Sequence, residues 1–151
     1  MKIKEGLLGT IGLLMKPYHD RYDHYPRVGW DGNSNNITEV DFVGHAWFFK
    51  REWIKYFLRE IPNIDENFLL GEDIHFSYSL QKYATNIKTY VPPHPANDTS
   101  LWGSQRNTAM TFGTDKNAVS QQSDSLKNFD KIFQKYRSKG FKVIADDTFK
   151  I

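Results

Sequence analysis

Residues 40–49, VDFVGHAWFF, form the densest apolar stretch of the chain and constrain its fold more than any other segment. A short apolar run of this kind is typical of buried β-strands, so we expect one or two strands here, with Gly44 as the break. A second apolar run, GLLGTIGLLM, occupies residues 6–15 and predicts a buried strand or turn.

Helical patterns follow on the carboxyl-terminal side of this stretch. In residues 51–60, four apolar side chains share one helical face: Trp53, Ile54, Phe57 and Leu58. Residues 74–81 alternate apolar and polar side chains as a strand does, but acidic residues precede them and Lys82 follows, which suits the two ends of a helix. We expect a helix in the first segment, and on these signals alone the second stays open between a strand and a helix.

The rest of the chain completes an α/β pattern. Residues 86–91 predict a short strand that Pro92 ends, and residues 141–145 predict a final strand followed by Asp146 and Asp147. Between them, apolar residues recur with helical spacing up to Gly140: Leu126, Phe129, Ile132, Phe133 and Tyr136. We therefore predict a single α/β domain over residues 1–151, in which helices flank a mixed sheet.

Composition excludes several classes of function. The 151 residues contain no cysteine, which rules out a disulfide scaffold, a thiolate metal site and a cysteine nucleophile. A net charge of +2 is too small to indicate nucleic-acid binding, although aromatic residues reach 15% of the chain. No apolar run approaches the roughly 18–20 residues of a membrane span, and we expect a cytoplasmic protein.

Glu72 and Asp73, which follow Gly71, are the sharpest local candidates for chemistry. The dipole and free amides of a helix start hold carboxylates ionised, and an ionised carboxylate beside a cleft can take a proton from a hydroxyl group. The alternative is an ordinary acidic helix start without chemistry, and the sequence by itself favours that alternative.

Other candidates lie in the apolar stretch and in two long loops. His45 and Trp47 interrupt residues 40–49, where a histidine is more often a hydrogen-bonded core residue than a ligand. The loop at residues 16–36 is rich in aromatic and polar residues and is of a length that is often functional. The loop at residues 94–117 presents His94 just after a strand, with Trp102 and Arg106 placed to stack on a sugar and to neutralise a phosphate.

Three segments in order resemble the acceptor-side half of GT-A-fold glycosyltransferases, of the family 2 type and the exostosin-like type. They are VDFVGHAWFFKREWI at residues 40–54, GEDIHFSYSLQKY at 71–83 and TYVPPHPANDTSLWGS at 89–104. In those families an aromatic strand precedes a short helix, and a Glu-Asp pair opens the next helix, which implies a helix at residues 74–81 here. The resemblance covers residues 40–104 and implies a partial GT-A-like fold.

The resemblance also implies roles for particular residues. Asp73 would bind the acceptor or act as the catalytic base, with Glu72 beside it. Other positions would contact the substrates: His45 and Trp47 in the aromatic strand, Trp102 with Gly103 and Ser104 around the sugar, Arg106 at the leaving diphosphate, and His94 at a metal ion or a phosphate. The donor would be a nucleotide sugar, the acceptor a hydroxyl group of a carbohydrate, and the cofactor a divalent cation such as Mn²⁺ or Mg²⁺.

One part of the family pattern has no counterpart here. The nucleotide-binding half and its Asp-x-Asp metal motif would precede residue 40, and Asp146-Asp147 lies at the wrong end to replace them. We therefore expect a carboxyl-terminal segment that works with an upstream donor-binding half or as a homo-oligomer, and that is not active by itself. The alternative is a carbohydrate- or partner-binding module without catalysis; a binder of single-stranded nucleic acid is disfavoured by the low charge.

Overall fold

A mixed sheet with flanking helices makes up the described part of the computed structural model, which covers residues 5–17, 21–30, 34–60, 71–99 and 125–148. The strands are β1 (Gly6–Leu13), β2 (Thr38–Val40), β3 (Phe42–Phe48) and β4 (Lys88–Val91). The helices are α1 (Ile54–Arg59), α2 (Glu72–Tyr83), α3 (Ser125–Ser138) and α4 (Ile144–Thr148), with a 3-10 turn at Arg51–Trp53 before α1. This confirms the α/β class.

The sheet has the strand order β2-β4-β1-β3. Strand β1 runs parallel to β4 and antiparallel to β3, and β2 runs antiparallel to β4. Because β1 has a neighbour on each side and packed layers around it, nearly all of its residues are buried, which confirms the strand, one of the two alternatives predicted for residues 6–15.

The break in residues 40–49 falls at Asp41, so the predicted break at Gly44 is wrong. One carboxylate oxygen of Asp41 accepts the backbone N–H of Met15 at 2.6 Å, and the other accepts that of Ile144 at 2.6 Å. These two bonds draw the chain out of the strand. The prediction of burial also holds only for the first half, because His45, Ala46 and Phe48 are exposed where β3 forms an edge of the described sheet.

Helix α2 confirms the helix expected at residues 74–81. Every residue from Ile74 to Leu80 is buried. Ile74 and Tyr78 pack in one apolar cluster with α3, whereas Phe76 and Leu80 pack in a second cluster with the sheet. Residues 74 and 78 form one stripe along the helix, and residues 76 and 80 form a second stripe two positions later. Together they place an apolar residue at every second position, which explains the strand-like alternation in the sequence.

His75 joins three helices through its two ring nitrogens. Its Nε2 lies 2.8 Å from the carbonyl oxygen of Phe57 in α1, and its Nδ1 lies 2.7 Å from the hydroxyl of Tyr136 in α3. A neutral ring satisfies both contacts, since Nε2–H donates to the carbonyl and Nδ1 accepts from the hydroxyl. Burial lowers the pKa of His75 and favours this neutral form.

The face predicted for the first helix is half wrong. Trp53 is buried and Phe57 is half-buried against α2, but Ile54 and Leu58 are exposed, Leu58 to 64%. The short helix packs on α2 through Phe57, whose carbonyl is bonded to His75, and Trp53 and Tyr56 belong to the same apolar cluster.

The carboxyl-terminal strand predicted at residues 141–145 is also wrong, because α4 begins at Ile144. Asp146 holds the turn before this helix: its carboxylate accepts the backbone N–H of Val143 at 3.0 Å and the guanidinium of Arg137 at 2.5 and 3.0 Å. The preceding helix α3 and the short strand β4 agree with their predictions. Among the described residues, no helix combines the length and apolar character needed to cross a bilayer.

Candidate functional site

The Glu-Asp pair opens α2, as the sequence predicts, at a point where the chain packs closely. Gly71 has a φ of 80°, and a Cβ atom there would lie 2.6 Å from Cγ2 of Ile132 in α3. Glycine is therefore required by conformation and by space. From this turn Glu72 extends into solvent, whereas Asp73 is half-buried.

The surroundings of Asp73 raise its pKa to about 7. Burial is the largest cause, and the negative charge of Glu72 adds to it. The N–H of Ile74, 2.7 Å from Oδ1, and the positive charge of Arg27 act in the opposite direction. Near neutral pH the carboxyl group is therefore divided between its charged and protonated forms, which suits proton transfer.

Tyr22, in the loop that follows β1, packs on α3. Its ring stacks on Phe129 of α3 with centroids 5.0 Å apart, and its backbone N–H donates to Oδ1 of Asp130 at 2.5 Å. Burial and then the charge of Asp73 raise the pKa of the Tyr22 hydroxyl. The contacts with α3 thus hold this loop beside Asp73.

The same loop brings Arg27 and Trp30 to His45; we call these three residues the Arg27 cluster. The guanidinium carbon of Arg27 lies 4.9 Å from the centre of the Trp30 ring, within the range of a cation–π contact. The Trp30 ring meets the His45 ring edge to face, with centroids 5.7 Å apart. The charge of Arg27 also lowers the pKa of Asp73 and of His45, so the cluster and the acidic pair are electrostatic neighbours.

His45 is not the core histidine that is usual in an apolar strand. Opposite it the register of β1 and β3 shifts, since Gly9 pairs with Trp47 but Ile11 pairs with Gly44. This bulge leaves His45 exposed with a φ of 61°, a strained backbone conformation for a residue other than glycine. Partial burial of the ring and the charge of Arg27 lower the pKa of His45, which favours the neutral imidazole.

Trp47 packs inward toward α2. Its ring is half-buried, with its centroid 5.9 Å from that of Phe76, and its indole N–H donates to the carbonyl of Val43 at 3.1 Å. These contacts give Trp47 a packing role in addition to the predicted contact with substrate, which stays a prediction.

His94 is buried beyond the end of β4. Its backbone N–H donates to the carbonyl of Ser34 at 2.7 Å, its ring lies beside Gly29, and burial lowers its pKa. In the part of the chain that the structure describes, no three side chains of His, Cys, Asp or Glu gather as a metal site requires. The predicted metal contact of His94 stays a prediction, and the carboxylate of Asp146 is engaged by Arg137.

The described residues bring together Glu72, Asp73 and the Arg27 cluster. The predicted sugar-pocket residues Trp102, Gly103, Ser104 and Arg106 lie outside the described ranges. Sequence reasoning missed Arg27, for which the available signal was a basic residue close to Trp30 in a long aromatic loop. Comparisons of the chain with protein-family models, curated proteins and solved structures find no match.

Proposed function

We propose that this chain is the acceptor-side part of a GT-A-type glycosyltransferase, which transfers a sugar from a nucleotide-sugar donor to a hydroxyl acceptor. The observation that carries the proposal is the Asp73 carboxyl group, half-buried in the first turn of α2 with a pKa of about 7. A general base works best when its pKa lies near the operating pH. The order of the three family-like segments supports the same function.

In the proposed reaction, the Asp73 carboxylate accepts the proton of the acceptor hydroxyl group. The acceptor oxygen forms a bond to the anomeric carbon of the donor sugar, and the bond from that carbon to the diphosphate oxygen breaks. The electron pair of the broken bond leaves with the nucleoside diphosphate. Glu72 assists through its charge, which raises the pKa of Asp73 and makes it a stronger base.

The donor side of the proposed site would come from outside the described residues. Trp102, Gly103 and Arg106 are the proposed contacts with the sugar and the diphosphate, on the basis of the resemblance. A nucleotide-binding half, supplied by an upstream segment or a partner chain, would bring the ligands of a Mn²⁺ or Mg²⁺ ion, whose chemistry is to offset the charge of the leaving diphosphate.

Replacement of Asp73 tests the proposal. In an active assembly of this chain with its donor-binding half, supplied with nucleotide sugars and carbohydrate acceptors, we expect Asp73→Asn to lower kcat/KM by about 100-fold or more, since the amide cannot accept the proton. Glu72→Gln is the matched control and should cost less. In the wild type, kcat/KM should rise with pH and level off above pH 7, where the carboxyl group is ionised. Release of nucleoside diphosphate measures the rate, and full turnover by Asp73→Asn would contradict the proposal.

The second candidate function is carbohydrate binding without catalysis. Exposed aromatic rings favour it, because Tyr25 is 47% and Phe48 61% accessible, and rings stack on the faces of sugars. A binding module would retain carbohydrate in the Asp73→Asn variant and, even together with a donor-binding half, would turn over none of the nucleotide sugars. The same variants therefore distinguish glycosyl transfer from carbohydrate binding without catalysis.

A further inference from the structure

We propose that the surface formed by α1, by the turn before it and by the carboxyl-terminal ends of α2 and α3 binds an anionic lipid membrane. We call this region the Arg59 surface. Its cations are Arg51, Lys55, Arg59, Lys82 and Lys139, and its exposed aliphatic side chains are Ile54 and Leu58. Neither the acidic pair nor a sugar donor enters this inference, which therefore goes beyond the proposed function.

Ring contacts and one carboxylate join the three helices into a continuous surface. The guanidinium carbon of Arg59 lies 5.1 Å from the centre of the Tyr83 ring at the end of α2, and Nζ of Lys82 lies 5.2 Å from the centre of the same ring. The carboxylate of Glu60 pairs with Lys82 and lies 3.7 Å from Nζ of Lys139. The cations of the three helices are therefore neighbours in space, although they lie far apart in the sequence.

Positive charge is concentrated on the Arg59 surface. Its five cations, together with Glu52 and Glu60 of the same segment, give a net charge of +3, whereas the whole chain carries +2. Within the described ranges no carboxylate pairs with Arg51, Lys55 or Arg59, and all three side chains are exposed. Each lysine or arginine near an anionic lipid surface strengthens binding by about fivefold, so these three side chains supply a strong attraction.

Two aliphatic side chains are exposed among these cations. Ile54 and Leu58, which are 40% and 64% accessible, lie one helical turn apart on α1. Helical spacing places Arg51 and Lys55 on the same side of the segment. Aliphatic side chains gain free energy when they enter the boundary between lipid headgroups and acyl chains, and the long stems of lysine and arginine keep the charges at the headgroups. The segment thus presents the side chains of an interfacial helix to solvent.

The same features favour a lipid surface over a nucleic acid or an acidic protein. Nζ of Lys55 lies 4.9 Å from the centre of the Tyr56 ring, and Arg59 lies over Tyr83, which leaves less ring surface on which bases could stack. A phosphate backbone makes no use of exposed aliphatic side chains. Lysine is depleted from protein–protein interfaces, whereas it is frequent at anionic lipid surfaces.

The Arg59 surface lies toward the opposite end of α2 from the acidic pair. Asp73 and Lys82 are separated by about 14 Å along the helix axis, at about 1.5 Å per residue. A membrane in contact with the end of α2 at Lys82 would therefore leave Glu72 and Asp73 uncovered.

The test is co-sedimentation of the full chain with sucrose-loaded vesicles at constant ionic strength. Vesicles of phosphatidylcholine are compared with vesicles that contain phosphatidylglycerol in equal amount. We expect the anionic vesicles to be bound at least about tenfold more tightly, and the double variant Lys55→Gln/Arg59→Gln to lose about tenfold or more of that affinity. The matched control is Arg21→Gln/Lys131→Gln, which removes the same charge from exposed residues beside the contact of Tyr22 with α3. It should lose less than about threefold, because it lies more than a Debye length from Lys139.

Insertion of the aliphatic side chains is tested with single cysteines, because the chain contains none of its own. Leu58→Cys and the control Lys131→Cys are labelled with an environment-sensitive dye. On anionic vesicles we expect the emission of the dye at position 58 to shift to shorter wavelength and to be shielded from an aqueous quencher. The dye at position 131 should remain open to the quencher.

Several results would overturn the inference. They are equal binding to the two kinds of vesicle, equal losses in the two double variants, and a dye at position 58 that stays open to the quencher. Binding of single-stranded RNA that depends on Lys55 and Arg59, without binding of vesicles, would overturn it as well. If Lys55→Gln/Arg59→Gln fails to fold, Arg51→Gln/Lys55→Gln decides, since neither of these side chains contacts α2 or α3 among the described residues.

Discussion

At the residue scale, Asp73 shows how several neighbours set the chemistry of one side chain. Burial and Glu72 raise its pKa, and the Ile74 amide and Arg27 lower it, which leaves a value of about 7. Only Glu72 and Ile74 are neighbours in sequence. The acidic pair was therefore predictable, but its protonation near neutral pH depends on tertiary contacts.

His45 offers a test of backbone strain at the bulge. A φ of 61° costs a residue other than glycine about 1–2 kcal/mol, so we expect His45→Gly to leave the free energy of unfolding unchanged or to raise it by up to about 1 kcal/mol. Denaturant unfolding provides the measurement. The neighbouring Ala46→Gly is the control, and it should cost about 0.5–1 kcal/mol because Ala46 lies in the strand without a positive φ.

For His45, a loss as large as that of Ala46→Gly would show that the bulge is not strained. The sequence could not reveal this bulge, since it depends on the pairing of β3 with β1, about 35 residues away along the chain.

The position of Arg27 near Asp73 could not be predicted from local sequence patterns, for a related reason. Its proximity to Asp73 arises because Tyr22 anchors the loop to Phe129 and Asp130 of α3, which are more than 100 residues further along the chain. No periodicity or motif within the loop encodes that contact. Charged residues that act through tertiary packing are thus the part of a site that single-sequence reasoning identifies least well.

At the element scale, α2 shows why a period of two does not always mean a strand. Its two stripes face different partners, so burial extends around the helix and the usual one-sided pattern disappears. The acidic first turn and Lys82 in the last turn agree with the helix dipole, but the prediction of a helix rested mainly on the family resemblance.

The contacts of His75 predict how α1, α2 and α3 depend on each other. Tyr136→Phe removes the hydroxyl that donates to Nδ1 of His75 and leaves a buried acceptor unsatisfied, which should cost about 1–3 kcal/mol of unfolding free energy. Denaturant unfolding at neutral pH measures the change. Tyr25→Phe is the control at an exposed tyrosine, expected within about 0.5 kcal/mol of the wild type. A Tyr136→Phe loss as small as the control would remove His75 as the link between the helices.

Helix α4 explains the error at residues 141–145. A short apolar segment is compatible with either a strand or a helix. Here contacts with other parts of the chain determine that a helix forms. Asp41 accepts the first backbone N–H of α4 from 103 positions away, and Asp146 is held by Arg137 of α3. The local sequence contains neither partner.

At the scale of the whole molecule, the sequence indicates the class of fold but not its topology. The α/β class, the buried strand at residues 6–15 and the strand at β4 followed from apolar runs and proline positions. The strand order β2-β4-β1-β3 and the parallel pairing of β1 with β4 depend on long-range pairing that no local pattern contains. Membership of the GT-A fold remains a proposal, which rests on the resemblance of residues 40–104.

The most direct test of the central claim is the titration of Asp73 followed by ¹³C NMR of its carboxyl carbon. Asp73→Asn assigns the signal, because it alone should disappear in that variant. We expect a midpoint near pH 7, as burial and the charge of Glu72 require of a base poised for proton transfer. A midpoint near pH 4, the ordinary value for an aspartate, would contradict the claim that Asp73 is the catalytic base.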